Sequence, residues 1–354
     1  MLLKLAPTTE QHQSLLDTMH AFNAAANYVA EIAFNEKTAN KFALQKIVYG
    51  ELRTTYKLAA QLAIRCISKA SEVYKREKSI QPHFKPEGAI TYDERVMSFK
   101  GLNAVSLLTL SGRVLVAFRV GGYQEARMDR IKGQADLLYR KGTWYLAVTL
   151  EVPTPTPNTP TDTLGVDLGI INLATSSDGE TFSGEQVEKT RKRYHALRQR
   201  LQKRGTKSAK RHLKKLSGKE ARFKRDTNHV ISKRLVSKAK ADGQALALED
   251  LRHIRKRCTV RRSQRSKHSS WAFAQLRSFL SYKAALAGVL LYAVDPAYTS
   301  RTCSICGHCE KANRKSQSDF KCVNCGYEAL ADFNAAVNIS RAEPVMRPIA
   351  AGRA

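Results

Sequence analysis

The chain has 354 residues, room for two or three domains and a sizeable core. Hydrophobic residues make up 43% and charged residues 26%, ordinary for a soluble globular protein, yet 60 Lys and Arg stand against 31 Asp and Glu, a formal charge of +29. A surface that basic repels itself unless a polyanion neutralises it, which points to nucleic acid ahead of an anionic membrane. The longest apolar run, Ala284 to Val294, is about half of the ~20 residues a spanning helix needs. Met1 to Pro7 lacks the features of a signal peptide, so a cytoplasmic or nuclear compartment is expected.

In chain order, Met1 to Leu5 reads as a short strand. Leu15, Met19, Phe22, Ala26, Val29 and Ala33 then repeat at steps of four and three, one apolar helical face. A second helical stretch runs from about Phe42 to Lys78, stopped by Gln81-Pro82 and Lys85-Pro86. From Ser98 to Val152 the pattern is β. Arg113 to Val120 is apolar and β-branched, and Leu137 to Tyr139 and Trp144 to Val152 flank the turn Arg140-Lys141-Gly142. Short strands at this spacing suggest a small barrel, which Met1 to Leu5 would complete, leaving the helices as an insertion.

Four prolines between Pro153 and Pro160 cannot pair in a sheet and mark a domain border. Beyond it, Leu164-Gly-Val-Asp-Leu-Gly169 reads as a buried strand ending in a tight turn. Asn172 to Ser176 and Thr181-Phe182 are expected strands. A basic helical stretch follows from about Glu185 to Lys240, then the apolar strand Ala245 to Glu249, a helix from Ala272 to Leu286 and a strand from Val289 to Val294. Strands alternating with helices argue for an α/β sheet.

Five of the seven cysteines crowd between Cys303 and Cys325. A reduced compartment disfavours disulfides, so the cluster asks for a metal. Cys303-Ser-Ile-Cys306 and Cys322-Val-Asn-Cys325 are two knuckles, each followed by glycine, and four thiolates make a closed structural zinc site. Cys309 and His308 are then bystanders. A second constellation is acidic: Asp167 and Glu249 each end an apolar strand, and Asp332 lies just past the cysteines. Taken singly they read as a turn residue, a strand end and a helix N-cap. Converging, they would hold two Mg²⁺ ions, whose preference is for hard oxygen ligands, for phosphodiester hydrolysis.

The basic residues are concentrated. Seventeen Lys or Arg fall between Lys189 and Arg225 against one acid, Glu220, and eight fall between Arg252 and Lys267 with none. Like charges at helical spacing destabilise an unbound helix, and nucleic-acid phosphates would remove the repulsion. Arg193, Arg200, Lys210 and Lys214 in the first run and Arg255, Arg261 and Arg262 in the second are the candidate phosphate contacts.

Gly165-Val-Asp-Leu-Gly169, Ala247-Leu-Glu-Asp-Leu251, Tyr298-Thr-Ser-Arg-Thr-Cys-Ser-Ile-Cys-Gly307 and Asp332-Phe-Asn-Ala-Ala-Val-Asn338 together resemble the successive motifs of TnpB (OrfB) proteins. These are RNA-guided nucleases of insertion sequences, often described as transposases and related to type V CRISPR effectors. The resemblance is strong over about 161–340 and holds in outline before that. It implies a multidomain α/β protein: a wedge-like β-barrel over 1–7 and 80–152 with a helical recognition insertion at 8–79, a linker at 153–160, and an RNase H-like RuvC nuclease domain at 161–300. A zinc ribbon at 301–327, a final RuvC segment at 328–342 and a tail at 343–354 complete it. It also implies Asp167, Glu249 and Asp332 as metal-binding catalytic acids, a guide RNA from the transposon end, and a double-stranded DNA target beside a short motif. The family often has Arg before the last Asp, where this chain has Ala331, which removes a cation from the scissile phosphate. All three acids are present, which favours an active enzyme. A regulator that binds without cutting and a compact CRISPR-associated effector stay open.

Overall fold

The structure is a computed structural model that describes residues 1–157, 159–250, 273–316 and 318–342. The chain divides into two compact units, Met1–Val152 and Pro153–Ala354.

The first unit opens with β1 (Leu2–Ala6), whose alternation buries Leu3 and Leu5. Helix α1 (Thr9–Asn35) starts at a capping box between Thr8 and Gln11 and buries the periodic face from Leu15 to Ala33. The helical stretch expected over 42–78 is two helices, α2 (Lys41–Thr54) and α3 (Ala60–Arg76). Between them Lys57 takes a left-handed φ of 52°, and Leu58 turns fully into the core. That burial outweighs the good helical propensity of the sequence around it.

Strands β2 (Ile90–Tyr92), β3 (Met97–Lys100), β4 (Ala104–Thr109) and β5 (Gly112–Arg119), the short α4 (Gly122–Glu125), and strands β6 (Ile131–Arg140) and β7 (Thr143–Leu150) complete the unit. The seven strands form one antiparallel sheet in the order β2-β6-β7-β1-β5-β4-β3. Its two edge strands, β2 and β3, are joined by residues 93–96 alone, so the sheet curls into a nearly closed barrel. The hairpin between β6 and β7 turns at Lys141 and Gly142, whose φ angles of 51° and 77° are those of a tight two-residue turn.

The second unit contains β8 (Thr163–Asp167), β9 (Asn172–Ser176), β10 (Thr181–Ser183), α5 (Glu185–Arg204), α6 (Lys207–Ala241), β11 (Ala245–Glu249), α7 (Phe273–Ala287), β12 (Leu291–Val294), β13 (Asp319–Lys321), β14 (Glu328–Leu330) and α8 (Ala331–Arg341). Five strands pair in the order β10-β9-β8-β11-β12, with β8, β11 and β12 parallel and β9 and β10 antiparallel. Leu164, Val166, Leu246 and Leu248 pack with Ile231, Leu235 and Val236 of α6 and Leu276 and Leu280 of α7. Helix α8 lies on the opposite face. A Cβ at Gly165 would run into the backbone of Ala336 and Ser340, so glycine there is what lets α8 lie directly on β8.

The basic stretch expected as one helix is a helical hairpin. Gly205 ends α5 with a left-handed φ of 64°, and the Thr206 hydroxyl caps α6 by accepting from Ala209 N. Leu201, Ala209 and Leu216 are buried between the two helices beside Tyr194, Leu197 and Leu213. No described helix is long and apolar enough to cross a membrane.

Candidate active site and metal centre

Three carboxylates meet at one end of the five-stranded sheet. Leu248 pairs with Val166 in parallel register, so Glu249 and Asp167, each one residue further, end neighbouring strands side by side. Asp332, in the first turn of α8, is brought over them because Gly165 seats that helix on β8. It is not the N-cap of its helix; that residue is Leu330. Burial, then the charges of Glu249 and Asp332, push the Asp167 carboxyl up to about 8, against the opposing pull of Arg314 and the Leu168 N–H. Glu249 is also raised, by burial first and by Asp295, with the Thr299 hydroxyl and Arg314 acting the other way.

Glu249 and Asp332 are held by residues that sequence reasoning did not single out. The Thr299 hydroxyl donates to Glu249 Oε1 at 2.5 Å, and Asn172 Nδ2 donates to Asp332 Oδ2 at 2.9 Å. Arg314 NH2 stands 3.9 Å from Asp332 Oδ1, so the cationic place left by Ala331, which is fully buried, has a guanidinium nearby from another segment. Thr175 pairs directly with Asp167 across β8 and β9 and therefore shares its sheet face; its buried hydroxyl makes no hydrogen bond. Asp250, one residue past Glu249, turns away to Arg277 at 2.8 Å, and Asp295 caps the N–H of Ala297.

The four cysteines of the two knuckles converge. Among the described residues they are the set of His, Cys, Asp or Glu placed to hold a metal ion, their ligand atoms all within 4.8 Å of one another. Sγ–Sγ distances of 3.7 Å (Cys303–Cys325) and 3.5 Å (Cys306–Cys322) approach the ~3.8 Å edge of a tetrahedron with Zn–S bonds of about 2.3 Å, so the set could hold a zinc ion. The knuckles are built alike. Gly307 N donates to Cys303 O and Gly326 N to Cys322 O, at left-handed φ angles of 73° and 76°. The His308 N–H lowers the Cys306 thiol; at Cys325 the Tyr327 N–H pulls the same way but is outweighed by the surrounding thiols, which raise it. Cys309 is exposed and outside the set, and half-buried His308 lies 3.2 Å from Glu310.

Two asparagines, the buried Asn334 and the half-buried Asn338, tie this ribbon to α8. Asn334 accepts from Ser304 N at 2.9 Å and donates to Thr302 O at 2.8 Å. Asn338, one turn on, donates to Thr299 O and Thr302 O. Asn313 joins the two knuckles by donating to Arg301 O and His308 O and accepting from Val323 N, which fixes the backbone of Arg314 beside it. The pair Asn334 and Asn338, at i and i+4, was the available sequence signal.

Arg193, Arg200, Lys210 and Lys214 are all exposed on the α5–α6 hairpin. Other cations of that run hold the hairpin together: Arg198 and Lys224 both pair with Glu220, at 2.5 and 3.0 Å. Arg255, Arg261 and Arg262, with Cys258 and Trp271, lie outside the described residues, as does the tail at 343–354.

Two family profiles match the chain: the "Probable transposase" family OrfB_IS605 over residues 145–253 and the Cas12f1-like TNB domain over residues 273–339. The CRISPR-associated endodeoxyribonuclease Cas12f1 of Sulfoacidibacillus thermotolerans is 31% identical over 66% of this chain and 60% of its own length. The "Putative RNA-guided DNA endonuclease InsQ" of Escherichia coli (strain K12) is 28% identical over 79% of this chain and 72% of its own. The TnpB-like protein MJ0751 of Methanocaldococcus jannaschii is 35% identical over 34% of this chain and 45% of its own. The chain thus spans between about half and three quarters of these relatives. The fold matches that in a cryo-EM structure of a Cas12f1–sgRNA–target DNA complex with a TM-score of 0.64 at 16% identity, over 93% of this chain and 83% of the other.

Proposed function

Starting from its place in the TnpB (OrfB) family, we propose that the chain is an RNA-guided DNA endonuclease of a transposable element, cutting target DNA at a RuvC-type, RNase H-like site. The observation that carries this reading is the meeting of Asp167, Glu249 and Asp332 at one end of the sheet, with Asp167 raised by burial and then by its two neighbours. The names of the relatives supply RNA guidance and DNA cleavage.

Asp167, Glu249 and Asp332 would hold catalytic Mg²⁺. The residues present fit it: hard oxygen donors, a carboxyl raised by burial and by two like charges in spite of Arg314, and the orphaned Thr175 hydroxyl beside it. Bound Mg²⁺ would supply activation of water and stabilisation of the leaving phosphodiester oxygen. Around it, Thr299 orients Glu249, Asn172 orients Asp332, and Arg314 brings positive charge to the edge where a phosphate approaches. Cys303, Cys306, Cys322 and Cys325 hold one structural zinc, which fixes the loop carrying Arg314. The α5–α6 hairpin grips RNA or heteroduplex phosphates, and the barrel with its helical insertion reads the short DNA motif beside the target.

The test is cleavage of a plasmid target by protein purified with its RNA, with and without Mg²⁺. Asp167→Ala, Glu249→Ala and Asp332→Ala should each abolish cutting while target binding persists, and double variants should be no worse than singles. Near-normal cutting by any single variant removes that residue from the site. Mg²⁺-dependent binding without cutting by the unmodified chain would instead make it a regulator.

A further inference from the structure

A cavity of about 520 Å³ opens in the N-terminal unit between α1, the break before α3 and the segment at 81–83. Its size falls among those of small-ligand sites, roughly 300–1,000 Å³. One wall is aromatic: the rings of Tyr28 and Tyr56 are stacked, with centroids 5.9 Å apart and planes at 29°. The opposite wall is built in advance. Asn27 donates to Phe84 O at 2.9 Å and accepts from Phe84 N at 2.7 Å, while Asn23 donates to Pro86 O and Gly88 O, so residues 81–88 are pinned against α1.

The charges of the lining run against those of the chain. Among the described residues no Lys or Arg lines this cavity; its ionisable groups there are Glu31, His83 and the two phenols. A phosphate finds no cation inside, whereas the exposed Glu31 carboxylate is an acceptor with two oxygens to fill. Burial raises the Tyr56 phenol, helped by Glu51, Tyr28 and Glu31, so it stays protonated and able to donate. An aromatic platform with an acceptor-rich edge and no cation fits a nucleobase. Guanine matches best, because its Watson–Crick edge presents two parallel N–H donors to the two carboxylate oxygens. The exposed Lys57, next in sequence to Tyr56, offers a cation for the backbone outside.

We propose that this cavity holds one unpaired guanine of the bound RNA, its ring against the Tyr28–Tyr56 pair and its N1–H and N2–H donated to Glu31. This rests on the reading of the chain as RNA-guided, and the experiment separates the two.

The full chain, freed of RNA, is titrated with guanosine and with adenosine while tyrosine fluorescence is followed. Guanosine should quench saturably and at lower concentration than adenosine, Glu31→Gln should remove most of that preference, and Ala24→Trp should abolish the response. Ala24 is exposed on the cavity lining, so tryptophan fills the space without entering the core. Ala24→Trp should also weaken binding of the co-purifying RNA at least about five-fold, the lower end of what one stacked base contributes. Unchanged guanosine quenching in Ala24→Trp, with an unchanged circular dichroism spectrum, overturns the site. Full RNA affinity in Ala24→Trp, where neutralising the α5–α6 hairpin lowers it, overturns the RNA base while leaving the proposed function intact. Weakening confined to target DNA would assign the base to DNA and overturn the RNA source. A chain that binds no RNA at all loses the proposed function, and the guanosine titration still decides the cavity.

Discussion

Arg314, in the cysteine ribbon, stands 3.9 Å from the carboxylate of Asp332 on α8. Its charge also acts on Asp167 and Glu249, against the burial that raises both. Arg314→Ala should therefore slow DNA cutting by about 10²-fold, the scale of losing one preorganised charge at a reacting oxygen. Zinc content and RNA affinity should stay at the unmodified level, and Arg314→Lys should recover part of the rate. Single-turnover cleavage beside metal analysis checks it.

Gly165 has no room for a side chain, because a Cβ would strike the backbone of Ala336 and Ser340. Gly165→Ala should lift α8 from β8, cost on the order of 1–3 kcal/mol of stability in the second unit, and misplace Asp332. Thermal unfolding and cleavage should fall together. An unaltered melting temperature with full cutting would mean that α8 does not rest on β8.

Metal analysis of the purified chain should find about one zinc. Cys303→Ser or Cys322→Ser should lose it and loosen the ribbon, since the free energy of metal binding at such a site is folding free energy. Cys309→Ser, outside the set of four, should keep it. With Mg²⁺ supplied, Cys303→Ser should also lower cutting through Arg314, whose neighbour Asn313 joins the two knuckles.

Asp93 is 6% exposed and accepts from Gln61, from Arg65 Nε at 2.6 Å and from Arg95 N at 3.0 Å. Burial pushes its carboxyl up, but these donors outweigh burial and hold it below its ordinary value. A carboxyl lowered by folding contributes stability above its unfolded pKa of about 3.9 and loses it as pH falls through the folded value. Arg65→Met should cost about 1.5–3 kcal/mol at pH 7, the scale of a hydrogen bond to a charged group. The deficit should shrink below about pH 4, as Asp93 takes up a proton. Urea unfolding at pH 7, 5 and 3 reads the gap directly.

Neutralising Arg193, Arg200, Lys210 and Lys214 together should weaken RNA binding for all guides alike. The plot of log affinity against log salt should flatten by roughly 0.7–0.9 for each phosphate no longer neutralised. These four side chains are exposed, and the hairpin keeps its Glu220 ion pairs and its Leu201–Leu216 seam, so it should stay folded. An unchanged slope with intact affinity moves the binding surface elsewhere.

Periodicity and spacing alone made much of this protein legible. The apolar face from Leu15 to Ala33, the strands that end in Asp167 and Glu249, the turn at Lys141-Gly142 and the paired knuckles are local patterns, each written within a few residues. The breaks at Lys57 and Gly205 were less legible, because tertiary burial of Leu58 and the packing of α5 on α6 decided them. What only the tertiary structure decided is which side chains attend the acids. Asn172 reaches Asp332 across 160 residues and Thr299 reaches Glu249 across 50, while Arg314 arrives from a ribbon whose position depends on Asn313, Asn334 and Asn338. Such contacts follow from how α8 and the ribbon pack on the sheet, a many-body outcome of sterics at Gly165 and hydrogen bonding at buried amides, and no short window of sequence contains them.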